Sequence, residues 1–308
     1  MALPLSPLRL GTRASPLALA QAYSVRDALI SAHALTLAAV EIVPIVASGD
    51  KITDRALADV GGKALWTKEL DQALAGGRID LAVHSMKDVE TLRPPHFRIA
   101  AMLARADVRD RLIGCPRIVA LKLGGIIGSS SPRRRAQLLR LRPDLRMVLF
   151  RGNVATRLAK LDAGEVDATL LAAAGLDRLG MTTTGTPIPL ETMLPAPAQG
   201  AIGIEIRAND ARMSDLVGAI NDPVTFNCVT TERALLAALG GSCHSPIAAL
   251  ATIEGTMLRL RAEIYSPDGT EMVRKSATFA RDDAEAISAL ATELIRMASP
   301  SLSALFSP

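Results

Sequence analysis

Short apolar runs alternate with stretches of helical periodicity along most of this chain, and that alternation restricts the fold to α/β more firmly than any other feature. Residues 8–10 read as a strand, and Ser15 then caps a helix that Pro16 opens and that runs to about residue 32. A strand over 39–46, a glycine-rich loop over 47–62, a helix over 65–75 and a short buried strand over 79–83 follow. A parallel α/β pattern is the expectation. It restarts near residue 103, with a strand at Ile126-Ile127, a helix over 133–141, a strand over 147–150, a helix over 154–162 and a strand over 167–172. Leu194-Pro195-Ala196-Pro197 punctuates the chain before a strand resumes at 202–206, as a hinge between two lobes would require. After about 220 a helix (224–239), the turn 240–246, three alternating strands within 247–280 and a helix (283–298) predict a small α+β domain. The predicted domains are 1–102 with 198–219, an inserted 103–197, and 220–308.

Two arginine-rich runs, SSSPRRRAQ (129–137) and FRGNVATR (150–157), each stand at a predicted strand-to-helix junction. Ser131 and Asn153 are the expected N-caps, so arginines occupy first turns where the helix dipole favours acids. A bound anion resolves that conflict, and guanidinium forks beside unpaired backbone N–H groups suit carboxylate or phosphate. The alternative is a solvated basic face.

The basic character is local. The whole chain is +4, yet 103–197 holds 15 Lys/Arg against 8 Asp/Glu, a local +7 that leaves −3 elsewhere. A hydrophobic content of 49% with 21% charged residues is a globular balance. With no apolar run of membrane-spanning length and no signal-peptide charge pattern, a cytoplasmic protein without membrane partners is expected. Cys115, Cys228 and Cys243 lack CxxC spacing, and the four histidines lack paired ligand spacing, so neither disulfide nor metal is predicted.

Four loops collect candidate chemistry. HSMKDV (84–89) leaves the carboxyl end of a strand, where open sheets bind ligands, and carries Ser85, Lys87 and Asp88. Asp88 is either a carboxylate beside a developing cation or the surface partner of Lys87. Cys243, in Gly241-Ser242-Cys243-His244-Ser245-Pro246, is either an inert core thiol or an exposed nucleophile whose pKa His244 lowers. The segment 47–63 reads as a mobile lid, and Ala198-Gln199-Gly200 marks the second crossing.

Together the motifs RLGTRASPLALAQA, VGGKALWTKEL, DLAVHSMKDV, GSSSPRRRAQL, RGNVATRLAKLDAGE, PAQGAIGIEIR and GGSCHSPI resemble the hydroxymethylbilane synthase (porphobilinogen deaminase) family. The resemblance implies two hinged doubly wound lobes similar to type II periplasmic binding proteins, plus a C-terminal domain. It implies a monomeric transferase of tetrapyrrole biosynthesis that adds four porphobilinogens, with loss of ammonia, to a dipyrromethane cofactor. The cofactor would sit in thioether linkage on Cys243, and hydrolysis would release linear hydroxymethylbilane. Carried over by motif, Ser85, Lys87, Asp88, Ser129, Ser131, Arg133 and Arg134 would contact the cofactor. Arg13, Ser15, Arg151 and Arg157 would bind substrate carboxylates, Arg178 and Gln199 would assist, and Lys63 and Trp66 would belong to the lid. Asp88 would be the catalytic group, binding pyrrole N–H groups and stabilising the azafulvenium cation.

The chain departs from the family pattern at Ala64-Leu65-Trp66, Ser129, Pro132 and Glu90, the last standing where proline is common. A ligand-sensing anion-binding protein would share the arginine pockets but leave the cysteine turn unexplained. A nucleic-acid binder would lack stacking groups, since aromatics are 3% of the chain.

Overall fold

The computed structural model describes residues 7–46 and 67–306. The expected lid, with Lys63 and Trp66, lies outside the described residues. Two compact units form, Met1–Ala106 with Ala201–Phe226, and Asp107–Gly200 with Asn227–Pro308.

The first unit holds a five-stranded sheet built from β1 (Leu8–Arg13), β2 (Val40–Ile45), β3 (Leu81–Ser85), β4 (Phe97–Met102) and β10 (Ile202–Arg207), numbered along the chain and ordered β2-β1-β3-β10-β4. Helix α1 (Pro16–His33) lays Ala22, Val25 and Leu29 onto it, and α2 (Lys68–Ala75) buries Leu70, Ala73 and Leu74. Ser15 caps α1 as expected, its Oγ accepting from Ala18 N at 3.4 Å. Strands β1, β2 and β3 are parallel, but β10 runs antiparallel to both β3 and β4. The expected parallel α/β pattern therefore holds for β1, β2 and β3, with β10 the antiparallel member. Ile202, at the start of β10, pairs with Ser85 at the end of β3, so the chain re-enters the sheet at the end where β3 leaves it and β10 runs back. Helix α6 (Ala211–Gly218) adds Met213, Leu216 and Val217 to this core.

The second unit repeats the plan with β5 (Asp110–Ile113), β6 (Ile126–Gly128), β7 (Arg146–Val148), β8 (Ala168–Ala172) and β9 (Thr186–Pro187), in the order β7-β6-β8-β5-β9. Here β6, β7 and β8 are parallel and β5 is the antiparallel member. Both sheets are of the doubly wound type, with α3 (Pro132–Leu141), α4 (Val154–Asp162) and α5 (Ala173–Arg178) following β6, β7 and β8. The same unit contains α7 (Pro223–Ala238) in part, the antiparallel meander β11 (Ile247–Glu254), β12 (Met257–Tyr265) and β13 (Met272–Ala280), and α8 (Ala284–Met297). Leu235, Leu258, Leu260, Ile264, Leu290 and Leu294 fill the core of the meander. A smaller cluster of Ala136, Leu194, Ala248, Leu250 and Tyr265 joins α3 to β11 and β12. Among the described residues no helix is long and apolar enough to cross a membrane.

Candidate active site

In the first unit, the ends of β1 and β3 and the first turns of α1 form a pocket that includes Arg13, Gln21, Ser85 and Asp88 in its lining. Gln21, on the inward face of α1, holds Ser85 through both amide atoms, Nε2 to Oγ at 2.7 Å and Oε1 from Oγ at 3.0 Å. After Ser85 the chain makes one 3-10 turn, Met86–Asp88, and Met86 N donates to Ala201 O at 3.1 Å. Gly203 permits that contact, because a Cβ there would stand 2.1 Å from Met86 Sδ. Asp88 is thus half-buried in the pocket lining, with Lys87 beside it in sequence. Gln21 was not foreseen; its signal is a lone amide on an otherwise apolar helical stripe.

Behind the turn lies a buried ionic cluster. Glu205 of β10, fully buried, accepts from Arg93 Nε at 2.8 Å and stands 2.9 Å from His84 Nε2. Burial alone would raise Glu205, but His84 and Arg93 pull harder and bring its pKa down to about 2.

In the second unit the two arginine runs meet. Ser131 caps α3, its Oγ accepting from Arg134 N at 3.4 Å, and Asn153 caps α4, accepting from Thr156 N at 2.9 Å. Arg157 Nη2 reaches Ser130 Oγ at 3.4 Å and its Nε donates to Gly152 O at 3.0 Å, which brings the FRGN turn to the Ser129–Ser131 loop. Ser129 Oγ accepts from Ser131 N at 3.2 Å, and Arg151 is half-buried at the head of the turn.

The three consecutive arginines divide. Arg135 is exposed, whereas Arg133 and Arg134 are 2% and 5% exposed and converge on Asp110. Arg133 Nη2 lies 2.8 Å from Asp110 Oδ2, and Arg134 Nη2 lies 2.7 Å from Oδ1. The conflict between arginines and helix N-terminus is thereby met inside the protein, by a strand carboxylate and not by an external anion alone. Burial would raise Asp110, but the two guanidiniums hold it well below the usual carboxylate range. Gln199 Nε2 donates to the same carboxylate at 2.9 Å and to Val108 O at 2.7 Å. One carboxylate faces two cations in this cluster, and Arg133 Nε is buried with no hydrogen-bond partner among the described residues. Arg178 donates to Gly200 O at 2.7 Å, and burial pushes its pKa down to about 10.

Cys243 is the exposed member of the three cysteines; Cys228 is buried and Cys115 intermediate. Its turn is tied by Ser242 N donating to Ser245 Oγ at 3.0 Å and His244 N donating to Ser242 Oγ at 3.2 Å. The core-thiol alternative is removed by that exposure. Desolvation shifts the pKa of His244 downward, which disfavours the imidazolium that would favour a Cys243 thiolate.

Residues 8–215 match the family model described as porphobilinogen deaminase, dipyromethane cofactor binding domain, and residues 226–296 match porphobilinogen deaminase, C-terminal domain. The chain belongs to the porphobilinogen deaminase family. A porphobilinogen deaminase of Sphingopyxis alaskensis is 57% identical over 99% of this chain and 98% of its own length. One of Paracoccus denitrificans is 52% identical over 88% and 87%. The periplasmic VFT2 domain of Bordetella pertussis BvgS is similar at 13% identity and a TM-score of 0.39, covering 74% of this chain and 90% of that one. A family cofactor that carries several carboxylates fits the donor set here, because the Asp110 cluster has excess positive charge and an orphaned guanidinium N–H.

Proposed function

We propose that this protein performs hydroxymethylbilane synthesis with Cys243 as the attachment point of its dipyrromethane and Asp88 as its catalytic group. The reaction is that of the family, the head-to-tail condensation of four porphobilinogens with loss of ammonia and hydrolytic release of the linear tetrapyrrole. The cofactor, when bound, supplies the pyrrole carbon to which the first porphobilinogen is joined.

The chain's own residues divide the work by charge. Arg133, Arg134, Arg151 and Arg157, with the hydroxyls of Ser129 and Ser131, hold carboxylates of cofactor and substrate. Arg178, whose buried cation is disfavoured by desolvation, gains most from an incoming carboxylate, and Gln199 keeps Asp110 oriented beside Arg133. Arg13, Ser15 and Lys87 bind carboxylates at the rim that Ser85 and Gln21 shape. Asp88 accepts from the pyrrole N–H, and as the protonated substrate amine leaves as ammonia its carboxylate stabilises the porphobilinogen cation left behind. That interaction strengthens as charge develops, which is the differential that lowers a barrier. We also propose a three-domain division, 1–102 with 198–219, 103–197 and 220–308, and a cytoplasmic monomer.

The carrying observation is the exposure of Cys243 on a turn held by two serine hydroxyls. Intact mass tests it: the purified protein carries a covalent adduct, Cys243→Ser shows the bare polypeptide mass with activity lost, and Cys115→Ser and Cys228→Ser keep both. A modified, active Cys243→Ser protein removes the assignment.

A further inference from the structure

Asp88 stands on a single turn whose two flanks are tied to one guanidinium. Upstream, the His84 ring of β3 lies 2.9 Å from Glu205 Oε2, and Glu205 takes two bonds from Arg93, from Nε at 2.8 Å and from Nη2 at 2.9 Å. Downstream, Glu90, two residues beyond Asp88, accepts from Arg93 Nη1 at 2.5 Å and from Thr67 Oγ1 at 2.8 Å. Arg93 Nη2 also reaches Asp71 Oδ1 of α2 at 2.5 Å. The Arg93 side chain is 8% exposed, and the Glu205 carboxylate is wholly buried.

A planar fork is needed for this arrangement. The three guanidinium nitrogens of Arg93 divide between strand β10, Glu90 two residues beyond the turn and α2, a set of directions that one ammonium on a flexible stem cannot cover at once. Arg93 and Glu90 are not among the residues that line the pocket, although their partners Thr67 and His84 are, so the two act by placing the residues around Asp88.

We infer that Arg93 and Glu90 are positioning residues, a clamp that fixes the Met86–Asp88 turn from both flanks and thereby sets the Asp88 carboxylate for ammonia release. The inference rests on the catalytic reading of Asp88. It separates members of one ionic cluster by function: Glu90 stands one residue past Val89, which closes the turn, whereas Asp71 anchors the same guanidinium to a helix.

The experiment compares Arg93→Lys, Glu90→Ala and Asp71→Asn in the cofactor-loaded protein. It reads single-turnover ammonia release, the KM for porphobilinogen and amide hydrogen exchange across residues 85–89. Glu90→Ala and Arg93→Lys are expected to slow ammonia release by ~10-fold or more, leave KM within ~3-fold, and speed exchange of the turn amides. Asp71→Asn is expected to leave the turn amides and the release rate within ~2-fold while lowering the thermal midpoint. Equal losses of rate in Glu90→Ala and Asp71→Asn, or unchanged turn exchange in Glu90→Ala, would overturn the clamp. Asp88→Asn serves as the separate control: normal ammonia release there defeats the catalytic reading of Asp88, while the exchange data still report whether the clamp holds the turn.

Discussion

At the scale of single residues, carboxylates in this protein do two unlike jobs, and burial separates them. Asp110 and Glu205 are buried against arginines and serve the protein's own cations, whereas Asp88 is half-buried at a pocket rim where a ligand can meet it. Replacing Asp88 with Asn keeps the shape and removes the charge, so the protein folds and turnover falls by at least ~10²-fold. Asp88→Glu retains more activity than the Asn variant. Ammonia release with intact mass on both variants checks the order, and normal release by Asp88→Asn contradicts it. Asp88 itself was legible from its place at the end of a predicted strand. Asp110 was not, because a charged pair in Asp-Arg-Leu-Ile hides a fully buried strand from any reading of apolar pattern; only its partners, the nearest of them Arg133 and Arg134 of another element, make it an interior residue.

At the scale of elements, the strand-to-helix junction at β6 and α3 depends on a close approach. Phe150 is 2% exposed, and a Cβ on Gly128 would stand 2.5 Å from its Cγ. Gly128→Ala therefore forces the ring or the strand aside and costs about 1–3 kcal/mol of stability, with weaker seating of the Ser129–Ser131 loop. A Cβ on Gly218, at the end of α6, would meet nothing within 4 Å among the described residues, so Gly218→Ala is neutral or stabilising by up to ~1 kcal/mol. Denaturant unfolding of the two variants measures the contrast; equal losses would place the cost in glycine chemistry and not in the Phe150 contact. The caps Ser15, Ser131 and Asn153 were readable because capping is local. Strand β4 and helices α5 and α6 escaped the reading, being short and held by tertiary burial more than by periodicity.

At the scale of the whole molecule, buried ion clusters make stability depend on acid. Glu205 has an ordinary value of 4.5 and is brought down to about 2, so its contribution is complete above pH 4.5 and is lost as the pH falls through 2. That contribution is at most about 3 kcal/mol. Asp110, depressed further, gives up its share at still lower pH, while burial raises Asp71, whose protonation on the same descent returns a little stability. The thermal midpoint is expected to drop steeply between pH 4.5 and 2, and Glu205→Gln is expected to flatten that limb from a lower starting stability. Parallel midpoint curves for the two proteins would show that Glu205 does not govern the acid limb.

Sequence by itself determined what depends on neighbours along the chain: alternating strands and helices, capped helix starts, the two arginine junctions and the seven motifs of the family. Those features follow from backbone preference and local hydrogen bonding, which act over a few residues. Tertiary structure alone decided which way β10 and β5 run, since strand direction depends on where a chain returns and not on what it contains. It also decided that Arg133 and Arg134 turn inward to Asp110 while Arg135 faces solvent, and that Arg93 gathers Glu90, Asp71 and Glu205. Partners so far apart in sequence meet only when burial makes an unpaired charge too costly to leave alone.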